Sequence, residues 1–344
     1  MRKWLLVGLV LGMMGCLIST EVLAQDRDRG MQRMDEIVVS ATRTETPVFD
    51  TAQSVTVISR EDLDASPFER VEDIVRNVPG MYNFRHFALQ TNGIVSPLVL
   101  RGVGKNKVLV LVDGVPQNDN FNNAIAWVGW GHIPKETIER IEIVRGPTSA
   151  LYGSEGLGGV IHIITKKPQT ERVTSVRGEA GNGETYGGFA SHSQKIGDIG
   201  FLLAGGYEES DGFYMVSNPE PYETRRYREL ARAFGKVSYD LDDRSDLTLS
   251  ALYYDHDMGQ GRKYFHNDLQ LDQYWLTYSR RGDGLGIKAL AYLNRGDKTA
   301  YQDDASTNFS SLLRKEKFPE TYTWGADGGG PRCLDSLMGG LSSE

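Results

Sequence analysis

From Arg172 onward, apolar and polar residues alternate with a period of two, and no other feature of the chain constrains its fold as tightly. Ile199, Phe201, Leu203, Gly205 and Tyr207 project to one side of an extended segment, with Gly200, Leu202, Ala204 and Gly206 on the other. Leu247, Leu249, Ala251 and Tyr253 oppose Thr248, Ser250, Leu252 and Tyr254 in the same way, and Leu285, Ile287, Ala289, Ala291 and Leu293 repeat the pattern. Each run is about ten residues, the length at which a tilted strand crosses a bilayer, and aromatic residues lie near the run ends, where interfacial girdles belong. Short connections (around Gly197 and Asp198, Leu241 to Ser245, and Gly282 to Gly284) interleave with long ones (Ser210 to Tyr227, Met258 to Gln270, and Gly296 to Phe318). Outer-membrane barrels have short periplasmic turns and longer outer loops, so antiparallel transmembrane β-barrel strands are expected here, oriented by that asymmetry. Taken alone, the region also admits a soluble antiparallel sandwich.

The amino terminus supports export. Arg2 and Lys3 precede an apolar run from Trp4 to Ile18, and Val22-Leu23-Ala24 supplies a small-residue cleavage site, so residues 1–24 read as a signal peptide and the mature chain is expected to begin at Gln25. The run is shorter than the roughly 20 residues a spanning helix needs. Cys16 lacks the Leu-led context of a lipoprotein signal. No comparable apolar run follows, so insertion in a membrane must use strands, and a mean hydropathy of -0.38 does not oppose this, because lumen-facing residues dilute the lipid-facing ones. The two cysteines, Cys16 and Cys333, leave the exported body without a disulfide framework. A net charge of -8 argues against a nucleic-acid partner.

Between signal and strands lie two further segments. Residues 25–45 are polar and aperiodic, a flexible tail. The tail contains Asp35, Glu36, Ile37, Val38, Val39, Ser40 and Ala41, a short β-prone stretch suited either to pairing with a partner's sheet edge or to forming the first strand of the next domain. Residues 46–168 read as a compact α+β domain. Ser54 to Ile58 is a strand and Ser59 to Asp62 has capping-box spacing; Ser66 and Pro67 are expected to open a second helix whose stripe is Val71, Ile74, Val75 and Val78, stopped by Pro79-Gly80. Val108 to Val112 is a buried strand ended by an Asp113-Gly114 hairpin signal; Pro134 opens a short helix to Ile138; Ile141 to Arg145 and Val160 to Thr165 are strands. The expected core is Val71, Ile74, Val108, Val110, Val112, Ile141, Ile143, Ile161 and Ile163.

Catalytic, metal and nucleotide chemistry find nothing to rest on. The glycines between Gly153 and Gly159, and those at Gly102 and Gly104, are followed by strands, whereas a phosphate loop needs a helix N-terminus. The six histidines show no ligand spacing, no Cys-x-x-Cys occurs, and His162 lies in an apolar strand as a packed residue. No enzyme, metal or cofactor is expected.

Taken in order, the motifs resemble a known family. Asp35 to Ala41 resembles a TonB box, and the segments Pro47 to Leu63, Val71 to Gly80, Leu98 to Gly102, Val110 to Pro116, Ile138 to Pro147, Ala150 to Gly153 and Gly159 to Thr165 look like successive plug motifs of TonB-dependent outer-membrane receptors. The resemblance implies an α+β plug domain closing a barrel of about 22 strands. It implies an outer-membrane receptor of a Gram-negative bacterium for a scarce nutrient, a ferric siderophore or other metal chelate such as cobalamin or haem, with TonB and its inner-membrane energising complex as partners and outer-membrane lipid around the barrel. Arg101 and Arg145 match arginines that tether family plugs to the barrel. Ligand contacts are expected from two plug apices holding Tyr82, Arg85, His86, Asn120, Phe121 and Trp127, where aromatic and arginine side chains suit a planar, anionic chelate. A soluble periplasmic binding module built on the plug is the alternative.

Barrel strands are expected over residues 169–327, about seven and the start of an eighth, and residues 328–344 form an anomalous tail beginning Gly328-Gly329-Gly330-Pro331. A barrel of about 22 strands of about ten residues needs more chain than remains after residue 168. The expectation is therefore a fragment that does not transport by itself.

Overall fold

The computed structural model describes residues 37–38, 46–47, 51, 53–68, 70–83, 98–103, 107–118, 132–152, 156–282 and 286–329. Ahead of the main domain, β1 (Ile37–Val38) pairs antiparallel with β2 (Thr46–Pro47). The plug region is then built from β3 (Ser54–Ile58), α1 (Arg60–Ala65), α2 (Val71–Val75), β4 (Met81–Asn83), β5 (Leu98–Leu100), β6 (Val108–Val112), β7 (Val115–Pro116), β8 (Ile138–Arg145), α3 (Ser149–Tyr152) and β9 (Gly159–Thr165). Five of these strands make one sheet in the order β3-β8-β9-β6-β7, in which β6 and β9 run parallel, and β4 and β5 make a separate pair.

Val108–Val112 contains no polar residue, and every position in it is buried. Its two faces serve two clusters: Val108, Val110 and Val112 join Ile141, Ile143, Ile161 and Ile163, while Leu109 and Leu111 pack with Val144 and Val160. Burying each such side chain contributes about 1.5–3 kcal/mol. The edge of β6 that short β7 leaves open is closed by Asn118, whose Oδ1 accepts from the Val110 N–H and whose Nδ2 donates to the Val108 carbonyl, both at 2.9 Å. α1 has the expected capping box: Ser59 Oγ accepts from Asp62 N at 3.2 Å and Asp62 Oδ2 accepts from Ser59 N at 3.0 Å.

The second helix differs from expectation at its start. Ser66 is the C-cap of α1, and its hydroxyl accepts from the Phe68 N–H at 3.2 Å instead of opening a helix; α2 begins only at Val71 with Arg70 as an N-cap lacking a side-chain bond. A serine turn so formed competes with helix initiation. The apolar stripe is buried as expected. The helix after Pro134 is a single 3-10 turn, Lys135–Thr137, and β8 takes over at Ile138.

Eight antiparallel strands follow in simple sequence: β10 (Val173–Gly181), β11 (Thr185–Ile196), β12 (Ile199–Phe213), β13 (Arg226–Asp242), β14 (Ser245–Arg262), β15 (Phe265–Arg280), β16 (Ile287–Asp303) and β17 (Leu312–Gly329). The sheet is not closed, and β17 is a complete eighth strand whose pairing with β16 runs to Gly329 opposite Lys288. From β12 onward the strands are 15 to 18 residues long, beyond the span of a bilayer. The long connection expected over Met258 to Gln270 is accordingly a hairpin, paired as far as Arg262 and Phe265 and closed by a two-residue turn. The other two long connections shrink to residues 214–225 and 304–311. Polar residues above a membrane still pair their backbones, and the alternation of apolar residues reports only where lipid begins and ends.

One face of this sheet carries exposed Ile199, Leu203, Val237, Leu249, Leu276, Leu293 and Trp324, an apolar belt continuous across strands in register. Above it the same face turns acidic, with Glu209, Glu229, Asp257 and Asp268 side by side on four adjacent strands. The opposite face carries Leu202, Phe234, Leu252, Tyr254, Trp275 and Leu290, which are buried in one cluster with the plug core.

Candidate functional site

The shared core is completed by polar contacts between plug and wall. Asp113 and Gly114 form the turn between β6 and β7, both with positive φ (51° and 100°). The positive φ of Gly114 favours glycine, and a methyl group there would lie 3.2 Å from Leu290 Cδ2 of β16, close enough that the leucine would have to shift slightly. Asp113 accepts from Thr165 N at 2.8 Å and Thr165 Oγ1 at 2.6 Å, and Lys236 of β13 lies 3.2 Å from Asp113 Oδ2 while also donating to Thr165 Oγ1. Burial works against ionisation of Asp113, but the Lys236 charge and the Thr165 donors outweigh it and hold the carboxyl below its usual range. Thr165 ends β9, immediately before the chain crosses to the wall.

Further contacts spread along the interface. Arg177 of β10 pairs with Glu136; Glu208 of β12 takes Arg70 of the plug at 3.4 Å together with Arg228 of β13; and Asn294 Nδ2 of β16 donates to the Pro116 carbonyl at 3.2 Å. His132 sits buried with Nε2 3.1 Å from Gln117 Oε1 and its ring edge-on to Tyr254 of β14; burial, then the Arg232 charge, lower its pKa to about 3, so it is neutral at physiological pH. His162 is buried in β9 opposite Glu142, and burial lowers its pKa to about 4 despite the carboxylate.

The expected site residues fare unequally. Ile37 and Val38 of the TonB-box segment form β1, pairing with Pro47 and Thr46; Asp35, Glu36, Val39, Ser40 and Ala41 lie outside the described residues. Tyr82 is exposed on β4, whereas Arg85, His86, Asn120, Phe121 and Trp127 also lie outside the described residues. Arg145 Nη2 donates to Thr56 Oγ1 at 2.8 Å and Nη1 to the Pro79 carbonyl at 3.4 Å, contacts made within the plug. Arg101 is held with φ 52° by a bond from its N–H to the Gly80 carbonyl at 2.8 Å. Among the described residues, polar contacts from plug to wall are made by Asp113, Thr165, Glu136, Arg70 and the Pro116 carbonyl. The signal for their partners was present in the sequence: Lys236, Glu208 and Arg228 occupy the strand phase opposite the lipid-facing residues, where a charge has to meet something inside.

The glycine cluster also finds its use. A side chain at Gly158 would meet the Lys107 carbonyl at 2.8 Å and one at Gly159 would collide with the Val144 carbonyl, so these glycines let β6, β8 and β9 close together.

Residues 47–160 match the family described as TonB-dependent Receptor Plug Domain, and the strands after them form a wall against which that domain is seated. The chain carries the plug and first barrel strands of a TonB-dependent receptor. Relatives of this receptor chain include the vitamin B12 transporter BtuB of Vibrio vulnificus (strain CMCP6), 30% identical over 304 residues that cover 85% of this chain and 48% of the relative. An iron-regulated outer membrane virulence protein of Vibrio cholerae is 36% identical over 163 residues, 46% of this chain and 24% of the relative. The chain thus spans about half or less of the length of these curated relatives. Among solved structures, the siderophore receptor PirA from Acinetobacter baumannii aligns with a TM-score of 0.60 at 22% identity, covering 79% of this chain and 44% of that one. The alcaligin outer membrane receptor FauA from Bordetella pertussis aligns with a TM-score of 0.61 at 20% identity, covering 77% and 44%. These likenesses show the fold. The apolar belt on the outer face of the wall is the surface that strands crossing a membrane present to lipid.

Proposed function

We propose that this chain is the plug and early wall of a receptor that binds a scarce metal chelate, a ferric siderophore or cobalamin, at the cell surface and imports it with energy from TonB. The observation that carries the reading is the plug sheet packed in a single core with the lumen face of a lipid-belted wall. Relatives named for vitamin B12 transport and for iron regulation, and structural neighbours named for siderophores, support the ligand class. The outer membrane has no nucleotide supply or ion gradient, so uptake against a concentration difference needs an external source of work. In this reading the Asp35–Ala41 segment offers its backbone edge to TonB, the Tyr82–His86 and Asn120–Trp127 apices face the ligand, and Arg101 and Arg145 steady the plug against the rest of the wall.

The test is uptake of radiolabelled cobalamin and ferric siderophores by cells that depend on a receptor of full barrel length carrying this plug and wall, with and without TonB. One chelate is expected to accumulate only with TonB. Val38→Pro removes a backbone donor from the pairing edge and is expected to abolish accumulation while surface binding persists. Accumulation unaffected by loss of TonB, or no chelate bound at all, contradicts the proposal.

A further inference from the structure

The three longer hairpins on the outer side of the wall meet at Arg262, which is the last residue of β14. Its Nη1 reaches both carboxylate oxygens of Asp303, at 2.9 and 3.2 Å, on the last residue of β16. Its guanidinium lies over the Phe309 ring, 4.1 Å from the centroid, and beside Phe265 at 5.5 Å. Its backbone forms a bridge with Glu223 of the hairpin between β12 and β13, flanked by bonds from Thr224 N to the Gly261 carbonyl at 3.0 Å and from Lys263 N to the Tyr222 carbonyl at 3.1 Å. Tyr222 in turn sits 5.4 Å from Phe309, centroid to centroid, which closes the circuit.

The backbone beneath Phe309 is unusual. Asn308 and Phe309 both have positive φ, 54° and 60°, and a bulky residue adopts that conformation only when its surroundings hold it there. The holding contacts are visible: the 3-10 turn Ala305–Thr307 is capped by Asp304, whose side chain accepts from Ser306 N at 2.8 Å, and the Phe309 N–H donates to the Asp304 carbonyl at 2.8 Å. The strain aims the ring at the Arg262 guanidinium. Charge pairing and stacking through the side chain, and bridging through the backbone, therefore bring three hairpins together at one residue.

We infer that Arg262 is a positioning residue that clasps these hairpins into one stiff section of the receptor rim, so that ligand meets a preformed surface there and the loops do not close over it. The clasp is read from contacts alone; the receptor reading supplies only the side of the membrane it faces and the ligand it would meet. Lysine cannot replace the arginine, because an ammonium can reach Asp303 but has no planar face to lie over the Phe309 ring.

Hydrogen–deuterium exchange on the full chain in detergent, compared among wild type, Arg262→Ala and Arg262→Lys, tests this. Wild-type amides at 222–224, 261–263 and 304–311 are expected to exchange slowly. Both variants are expected to raise exchange in those three segments by about tenfold or more while β6 and β9 of the plug stay protected. Unchanged exchange at 304–311 in Arg262→Ala, full protection restored by lysine, or an equal rise throughout the plug would each overturn the clasp. Because no ligand is present, failure here is distinct from failure of the uptake experiment.

Discussion

At the scale of single residues, Asp113 joins the plug to the wall most completely. Its carboxylate is shared by the end of β9 and a buried ammonium on β13, so removing the charge strands Lys236 without a counter-ion. Asp113→Asn is expected to cost about 3–5 kcal/mol, the scale for breaking a buried pair from one side, read as a fall in the denaturation midpoint. The pH dependence separates this carboxyl from the histidines. Asp113 has its pKa lowered from 3.8 in the fold, so its contribution is complete above that value and is lost only as pH falls through the lower, folded one. His132 is depressed from 6.5 to about 3, so the unfolded chain takes up a proton first and stability declines as pH drops across that interval. A pH titration of stability is expected to slope from about pH 6.5 downward in the parent; His132→Gln should flatten part of that slope, and Asp113→Asn should remove only the steepening at its acid end. Little of this was legible beforehand. The Asp113-Gly114 pair announced a turn, but its partner on β13 is more than a hundred residues away in sequence, and local pattern carries no information about such distant pairing.

At the scale of elements, what the sequence disclosed depended on how many neighbours each element has. Val108–Val112 was readable because a strand with both faces covered has no polar residue to confuse the pattern, and all nine expected core residues lie in the main cluster. The start of α2 was not readable, since Ser66 can cap a following helix or close the preceding one, and the choice went to the Phe68 amide. Strand ends in the wall were likewise hidden, because hydropathy marks the lipid boundary while backbone pairing continues to the hairpin tips. Leu111 tests the two-faced reading of β6. It is 4% exposed and packs with Leu109, Val144 and Val160 on the side away from the main cluster. Leu111→Asp places a carboxylate there without compensation and is expected to destabilise the plug by at least about 3 kcal/mol. Thermal melting indistinguishable from the parent protein would show that this face is open to water.

At the scale of the whole molecule, the plug and the eight wall strands behave as one folded body with two environments: an outer face of apolar belt and acidic rim, and an inner face continuous with the plug core. The order of the motifs disclosed the plug and the alternation disclosed the wall, but neither showed how intimately they are joined, nor that Asp113, Glu136 and Arg70 take part in the joint. The most direct measurement is a cross-link across that joint. Asn294 reaches the Pro116 carbonyl at 3.2 Å, so cysteines at 116 and 294, with Cys333 replaced by serine, lie within reach of a short bis-thiol reagent. In outer-membrane fractions the chain is expected to cross-link internally and to migrate faster on a denaturing gel. Recovery of the chain in the soluble periplasmic fraction, or its presence in the outer membrane with no internal cross-link, would contradict the seating of this plug against this wall.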